Sequence, residues 1–326
     1  MERIAYLNSL RLLATFAVVV LHSSATYLDN GIYADGDHNA FGFYNNINAF
    51  AVPVFVMISG ALFLNPKKET GYKVLFNKYV RRIALALLIF GLPMCIAESM
   101  LTGGSWGGVI SNFLTGHSWN HMWYLYMLIG LYLMTPMLKP FVNGSSKNTI
   151  LIAFAILFVL CSVMPLMIRY GIKLKGWMVF FNNPYLLLYM LGFYLAVIEQ
   201  FTMKLWSVLL SIVFCVVVIV CKLFIGIDYM LYYDPITIIF EASIFMLFKQ
   251  LNIKWSVADR LAPYCFGIYL THTVFLNALA KVFHVSPADY LEAWISIPLL
   301  GCLTFMAALL TCYMMRKISL LRKYVL

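Results

Sequence analysis

Charge is what this sequence has least of. Only 11% of its 326 residues are Asp, Glu, Lys or Arg, and acids number 13 against 23 bases. A soluble domain is about 25% charged and about 45–50% apolar, whereas here the apolar share is 63%. A water-soluble chain of this length has too little interior to hide that surface. Soluble enzyme folds, disordered chains, collagen and coiled coils are therefore excluded. Chemical signatures are sparse as well. The chain has no P-loop, no GxGxxG opening a helix and no HxxxD acyltransferase motif. Its seven cysteines form no CxxC pair and sit in apolar segments, so neither a metal site nor a disulfide framework is signalled. Asp35-Gly36-Asp37 is too short for a calcium loop.

What is present is long apolar runs. A helix needs about 20 apolar residues to cross the hydrocarbon core of a bilayer. Ten stretches qualify as candidates: 6–28, 45–65, 79–100, 121–141, 148–168, 183–200, 204–226, 230–249, 262–283 and 291–315. The expected fold is an all-α integral membrane protein of about ten helices, one domain over residues 1–326. The first stretch has no small-residue cleavage site after it and is expected to be retained as a span. The net charge of +10 is not read as nucleic-acid binding, because cytoplasmic loops of membrane proteins carry an excess of Lys and Arg. With both termini cytoplasmic, most of the bases fall on the inner side, dominated by the loop 67–82. Aromatics at 16% fit interfacial belts.

Charge inside a span is costly and marks a functional candidate. The first stretch holds Arg11 and His22. Eleven residues is close to three helical turns, so the two share a face roughly 16 Å apart. Imidazole serves as a general base near neutral pH, and Arg11, or Lys78, Arg81 and Arg82 of the basic loop, can hold phosphates. Arg11 could equally snorkel to lipid head groups, and His22 could be a bonded core residue. Glu241 in the eighth stretch and His272 in the ninth are two further intramembrane candidates. His117 and His121, four apart, could meet on a helix face, but no third metal ligand lies nearby. Ser59-Gly60 reads as a close helix crossing or a turn. Trp119, Trp123, Tyr124 and Tyr126 read as an aromatic belt or as a stacking surface for a sugar.

Several blocks together resemble a known family. Tyr6-Leu-Asn8-Ser-Leu10-Arg11-Leu-Leu-Ala14 with Val18-Val-Val-Leu-His22, Ala51-Val-Pro53-Val-Phe55-Val-Met-Ile-Ser59-Gly60, His121-Met-Trp123-Tyr-Leu-Tyr126 and Phe266-Gly267-Ile-Tyr269-Leu-Thr-His272 are similar, in order, to motifs of the acyltransferase-3 family of membrane acyltransferases. The chain resembles its short stand-alone members that modify bacterial surface glycans, such as the enterobacterial common antigen O-acetyltransferase. The resemblance implies a multi-pass enzyme of the bacterial inner membrane. Such an enzyme passes an acyl group, most often acetyl from acetyl-CoA, to a hydroxyl of a glycan or lipid-linked sugar, with no bound cofactor. The family's essential first-helix Arg and His map onto Arg11 and His22. Tyr269, His272, Trp123, Tyr126, Ser59 and Glu241 are then expected on the acceptor side or along the channel. Expected partners are the lipid bilayer, the donor, the acceptor, and either a glycan-synthesis complex or a second copy of the chain. Many members carry Asp where this chain has Asn8, which weakens any ion pair expected there. A transporter or flippase for a glycan intermediate or a small amino acid is the competing reading. It would use Glu241, Arg11 and His272 as a proton or substrate path. A purely structural partner of a glycan-synthesis complex is the third.

Overall fold

The computed structural model describes residues 5–33, 35–119, 121–174, 184–197, 204–225 and 234–326, all helix and connecting turns, with no strand among them. In chain order the helices are α1 (Ala5–Asn30), α2 (His38–Ile47), α3 (Ala51–Phe63), α4 (Tyr72–Thr102), α5 (Trp106–Thr115), α6 (Trp123–Gly144), α7 (Lys147–Arg169), α8 (Tyr185–Val197), α9 (Leu205–Phe224), α10 (Pro235–Gln250), α11 (Ser256–Val282), α12 (Ala293–Met315) and α13 (Ser319–Tyr324). Among the described residues, eight helices or helix pairs are long and apolar enough to cross a membrane. The chain is an all-α membrane protein.

Each of the ten expected stretches contains a helix, but the lengths differ from expectation. α8 has 13 residues and α10 has 16, both under span length; the expected residues 183, 198–200 and 230–233 lie outside the described set. α4 begins at Tyr72 rather than 79 and contains two π turns, Leu75–Val80 and Leu87–Gly91. Its first turns carry Lys73 and Lys78 beside Tyr72 and Phe76, too polar to read as a span but still helical. α5 was not expected at all. Its ends are local: Ser105 caps the first turn by accepting from the Gly108 N–H, and Gly116 closes it at φ +87°.

Lipid is the solvent for the outside of this bundle, so the apolar stripes face outward and polar groups inward. Trp206, Leu210, Val213 and Val217 on α9, and Leu299, Leu303, Met306 and Leu310 on α12, are exposed at helical spacing. α1 is the hub and packs against α2, α3, α10, α11 and α12. Lys222, which the sequence places inside a span, bonds Asp234 at 3.3 Å, and Arg169 approaches the same carboxylate at 3.5 Å. That buried acid ties the ends of α7, α9 and α10 together.

The tightest crossing is α3 on α8. A Cβ on Gly60 would lie 1.7 Å from the Tyr189 carbonyl oxygen, and one on Gly192 would lie 2.1 Å from that of Met57. Each backbone fills the notch left by the other's glycine, so no rotamer change relieves a substitution. Gly60→Ala and Gly192→Ala should each lower stability by about 2 kcal/mol or more, read as loss of the thermal transition of detergent-solubilised protein. Wild-type melting in both variants would contradict this packing.

Candidate active site

Three histidines from three separate segments meet in the interior. His22 on α1, His121 just before α6 and His272 on α11 have ring centroids 5.0 Å (His22–His272), 5.2 Å (His121–His272) and 5.9 Å (His22–His121) apart. Residue spacing places His22 and His272 on their helices, and the packing of α1 on α11 brings them together. His121 arrives on the turn that enters α6. Its carbonyl accepts from the Tyr269 hydroxyl at 2.6 Å, and its Nδ1 lies 3.2 Å from Thr273 Oγ1. No group of ligands suited to a metal ion occurs among the described residues.

The backbone sets the tautomers. His272 Nδ1 lies 3.1 Å from the Ile268 carbonyl and 2.9 Å from that of Tyr269. Carbonyls only accept, so this nitrogen carries the hydrogen and Nε2 of the neutral ring carries the lone pair. His22 Nδ1 lies 2.9 Å from the Val18 carbonyl and 3.1 Å from His272 Nε2. It therefore donates to both acceptors, which leaves the His22 lone pair on Nε2. An imidazole held this way is a base at Nε2, and its cation would keep two acceptors on the far side. The Nε2 of His121 is buried with no partner.

A cavity of about 540 Å³ approaches the cluster. It runs along α1 from Asn8 to Val18 and along α11 from Asp259 to Tyr269; the next turn of each helix bears His22 and His272. Its two ends differ in chemistry. Arg11, Lys68, Arg82 and Arg316 gather at one, while Val18, Val52, Phe55, Tyr124 and Tyr269 form the other. Lys68 sits in the turn between α3 and α4, its ammonium 3.4 Å from the Phe63 ring centroid. Burial, and then Lys78, Arg11 and Lys139, push it down to about 8. Arg82 donates to the carbonyls of Val325 and Leu326 at 2.7 Å each, and Arg316 donates to Leu326 at 3.2 Å. The segment after α13 thus forms part of the wall.

The expected residues divide. Arg11, Ser59, Arg82 and Tyr269 line the cavity, and His22 and His272 form the cluster. Lys78 and Arg81 lie outside it, exposed, over the rings of Tyr79 and Tyr324. Trp123 packs on Tyr185, and Tyr126 donates to the Phe113 carbonyl at 2.6 Å; neither lines the cavity. Glu241 is fully buried on α10, its carboxylate oxygens without a hydrogen-bond partner, and outside the lining. His117 is exposed and 3.2 Å from Thr115, away from His121, because no helix joins the two. Sequence reasoning missed the meeting of His121 with His22, and missed Lys68 and Arg316 as a converging pair. Position in the motif blocks was the available signal for His121; none existed for Arg316. Residues 103–107 also spell G-x-S-x-G. Ser105 there is an exposed helix cap rather than a nucleophile on a strand-to-helix elbow.

Asn8 resolves differently from expectation. Its Nδ2 donates to Asp259 Oδ1 at 2.6 Å, so the acid at this end of the cavity comes from α11. Asn8→Asp would set two carboxylates against each other and should lower stability by about 1 kcal/mol. The exchange Asn8→Asp with Asp259→Asn should restore the wild-type melting temperature. A single variant as stable as wild type would contradict the contact.

No curated protein and no solved structure matches the chain. A family model does: the acyltransferase-3 model, described as an acyltransferase domain, matches residues 4–316. With that match over nearly its whole length, the chain belongs to the acyltransferase-3 family of membrane acyltransferases.

Proposed function

We propose that the protein is an O-acyltransferase of the bacterial inner membrane. It moves an acyl group, acetyl in the first instance, from acyl-coenzyme A to a hydroxyl of a cell-surface glycan or lipid-linked sugar. The observation that carries this reading is a four-cation cavity whose far end, at Val18 and Tyr269, lies one helical turn from His22 and His272. Coenzyme A is a polyanion at one end and a thioester at the other, joined by an arm with a polar and an apolar side. A cavity with Arg11, Lys68, Arg82 and Arg316 at one end and aromatic walls at the other suits it in both charge and direction. Arginine is suited to the phosphates by its bidentate fork.

In the reaction, His22 Nε2 takes the proton of the acceptor hydroxyl as its oxygen attacks the thioester carbonyl. The C–S bond breaks, the ester forms, and the proton leaves His22 for the coenzyme A sulfur. His22 Nδ1 stays donated to Val18 and His272 throughout, so the transient imidazolium is held in place. Tyr269 separates cavity from cluster and is itself fixed through His121.

His22→Ala and His22→Gln should lower the rate of coenzyme A release from acetyl-CoA by about 10²–10⁴-fold, with the thermal transition of the Gln variant kept. Normal turnover in either would refute the assignment. The pH dependence follows from Lys68. It is charged below its pKa of about 8 and attracts phosphate in that form. KM for acyl-CoA should therefore rise as pH increases through that value while kcat holds, and Lys68→Arg should flatten the rise. A wild-type KM that is constant across about pH 7 to 9 would contradict donor binding at Lys68.

A further inference from the structure

A second opening lies beyond the histidine cluster, and nothing in the donor reading uses it. It is a groove of about 380 Å³ between the later halves of α4 and α11. The two openings share both walls. On α4, Tyr79, Arg82 and Ile83 face the donor cavity, while Phe90, Met94 and Ala97 face the groove. On α11 the donor cavity ends at Tyr269 and the groove begins at Val274, with His272 between them. Trp119, two residues before His121, closes the groove on a third side.

The walls are apolar with one exception. Asn277 is 6% exposed and lines the groove, and its side-chain oxygen has no partner. Its amide nitrogen donates to the Thr273 carbonyl, and Thr273 is the residue whose hydroxyl meets His121. An unpaired acceptor in a dry site costs about 1–3 kcal/mol, and a donor from a ligand would remove that cost. At the far rim Lys281 bonds Glu98 at 2.6 Å and lies over Trp119. Val274 and Val282 on the lip are exposed, so the groove opens sideways on the lipid-facing surface.

We infer that this groove is the acceptor's entrance and holds the hydrocarbon chain of a lipid-linked saccharide. It brings the sugar head to Asn277 and the histidines from the side opposite the donor. The occupant follows from the lining. A free sugar would leave its hydroxyls unbonded against Phe90, Met94 and Ala97. An ordinary bilayer lipid would put only hydrocarbon at this depth and leave the Asn277 oxygen unpaired. A chain with hydroxyls at its head satisfies both the walls and Asn277. The inference rests on the acyltransferase reading for its purpose but not for its test.

The test is photolabelling in proteoliposomes with a diazirine-bearing polyprenyl-phosphate-linked sugar, mapped by peptide mass spectrometry without acyl-CoA. Label should concentrate on residues 90–101 and 274–282. Unlabelled polyprenyl-phosphate-linked sugar should compete it and phosphatidylglycerol should not. Ala97→Trp, which fills the groove, should remove the label while acyl-CoA binding stays at the wild-type level. Asn277→Leu, which keeps the apolar wall, should abolish the preference for the sugar-bearing lipid over plain polyprenyl phosphate. Label spread evenly over the exposed faces of α9 and α12, equal competition by phosphatidylglycerol, or an unchanged preference in Asn277→Leu would each overturn the inference. A protein that takes the label in the groove but never consumes acyl-CoA would refute the acyl-CoA-donor reading and leave the groove standing.

Discussion

Arg11 and His22 lie on one helix in a chain that lives in lipid, and a helix carrying both cannot face hydrocarbon. Intramembrane charge is tolerated where protein or a water-filled cavity encloses it. α1 is enclosed by α2, α3, α10, α11 and α12, and the bundle is arranged around that need. Its outward stripes on α9 and α12 are plain hydrocarbon. The cost of Arg11 is met by a cavity open to other polar groups, and that of His22 by the Val18 carbonyl and the His272 ring. The same enclosure that makes α1 tolerable in a membrane also assembles the site.

The site is graded along α1, α4 and α11. Fixed cations stand at one end, aromatic rings in the middle, three imidazoles next, and an apolar groove beyond them. A polyanionic donor and an amphiphilic acceptor would each be held by the chemistry that suits them and would meet only at the histidines. Backbone carbonyls hold the imidazole hydrogens at Nδ1 of His22 and His272. Helix geometry thus decides which nitrogen of each ring keeps its lone pair. Glu241 is buried on α10 and lies outside both linings.

The fold class was legible because it rests on composition and run length, which are local quantities. Arg11 and His22 were legible as a pair because both sit on one helix, where spacing alone sets geometry. The rest required tertiary contact. His22 and His272 are 250 residues apart in sequence, and no periodicity connects them. Lys68 belongs to a basic stretch whose members Lys78 and Arg81 look the same in sequence but lie outside the cavity lining, over the rings of Tyr79 and Tyr324, and nothing in the sequence sets Arg316 apart from its basic neighbours. α5 was invisible because ten residues fall short of a span, and α4 was started late because its first turns are cationic. Asn8 reads as a lost acid until Asp259 is seen bonding it from α11.

The central claim is directional: the donor enters at the cationic end and the acyl group leaves toward the other. Proteoliposomes can be sorted by whether residues 67–78 face outward, read by an impermeant thiol reagent on a Lys73→Cys variant whose position is exposed and outside the cavity lining, then given acyl-CoA on the outside only. Coenzyme A should be released when those residues face the added donor and not when they face the lumen. Equal release in both orientations, or release only in the opposite one, would contradict the account.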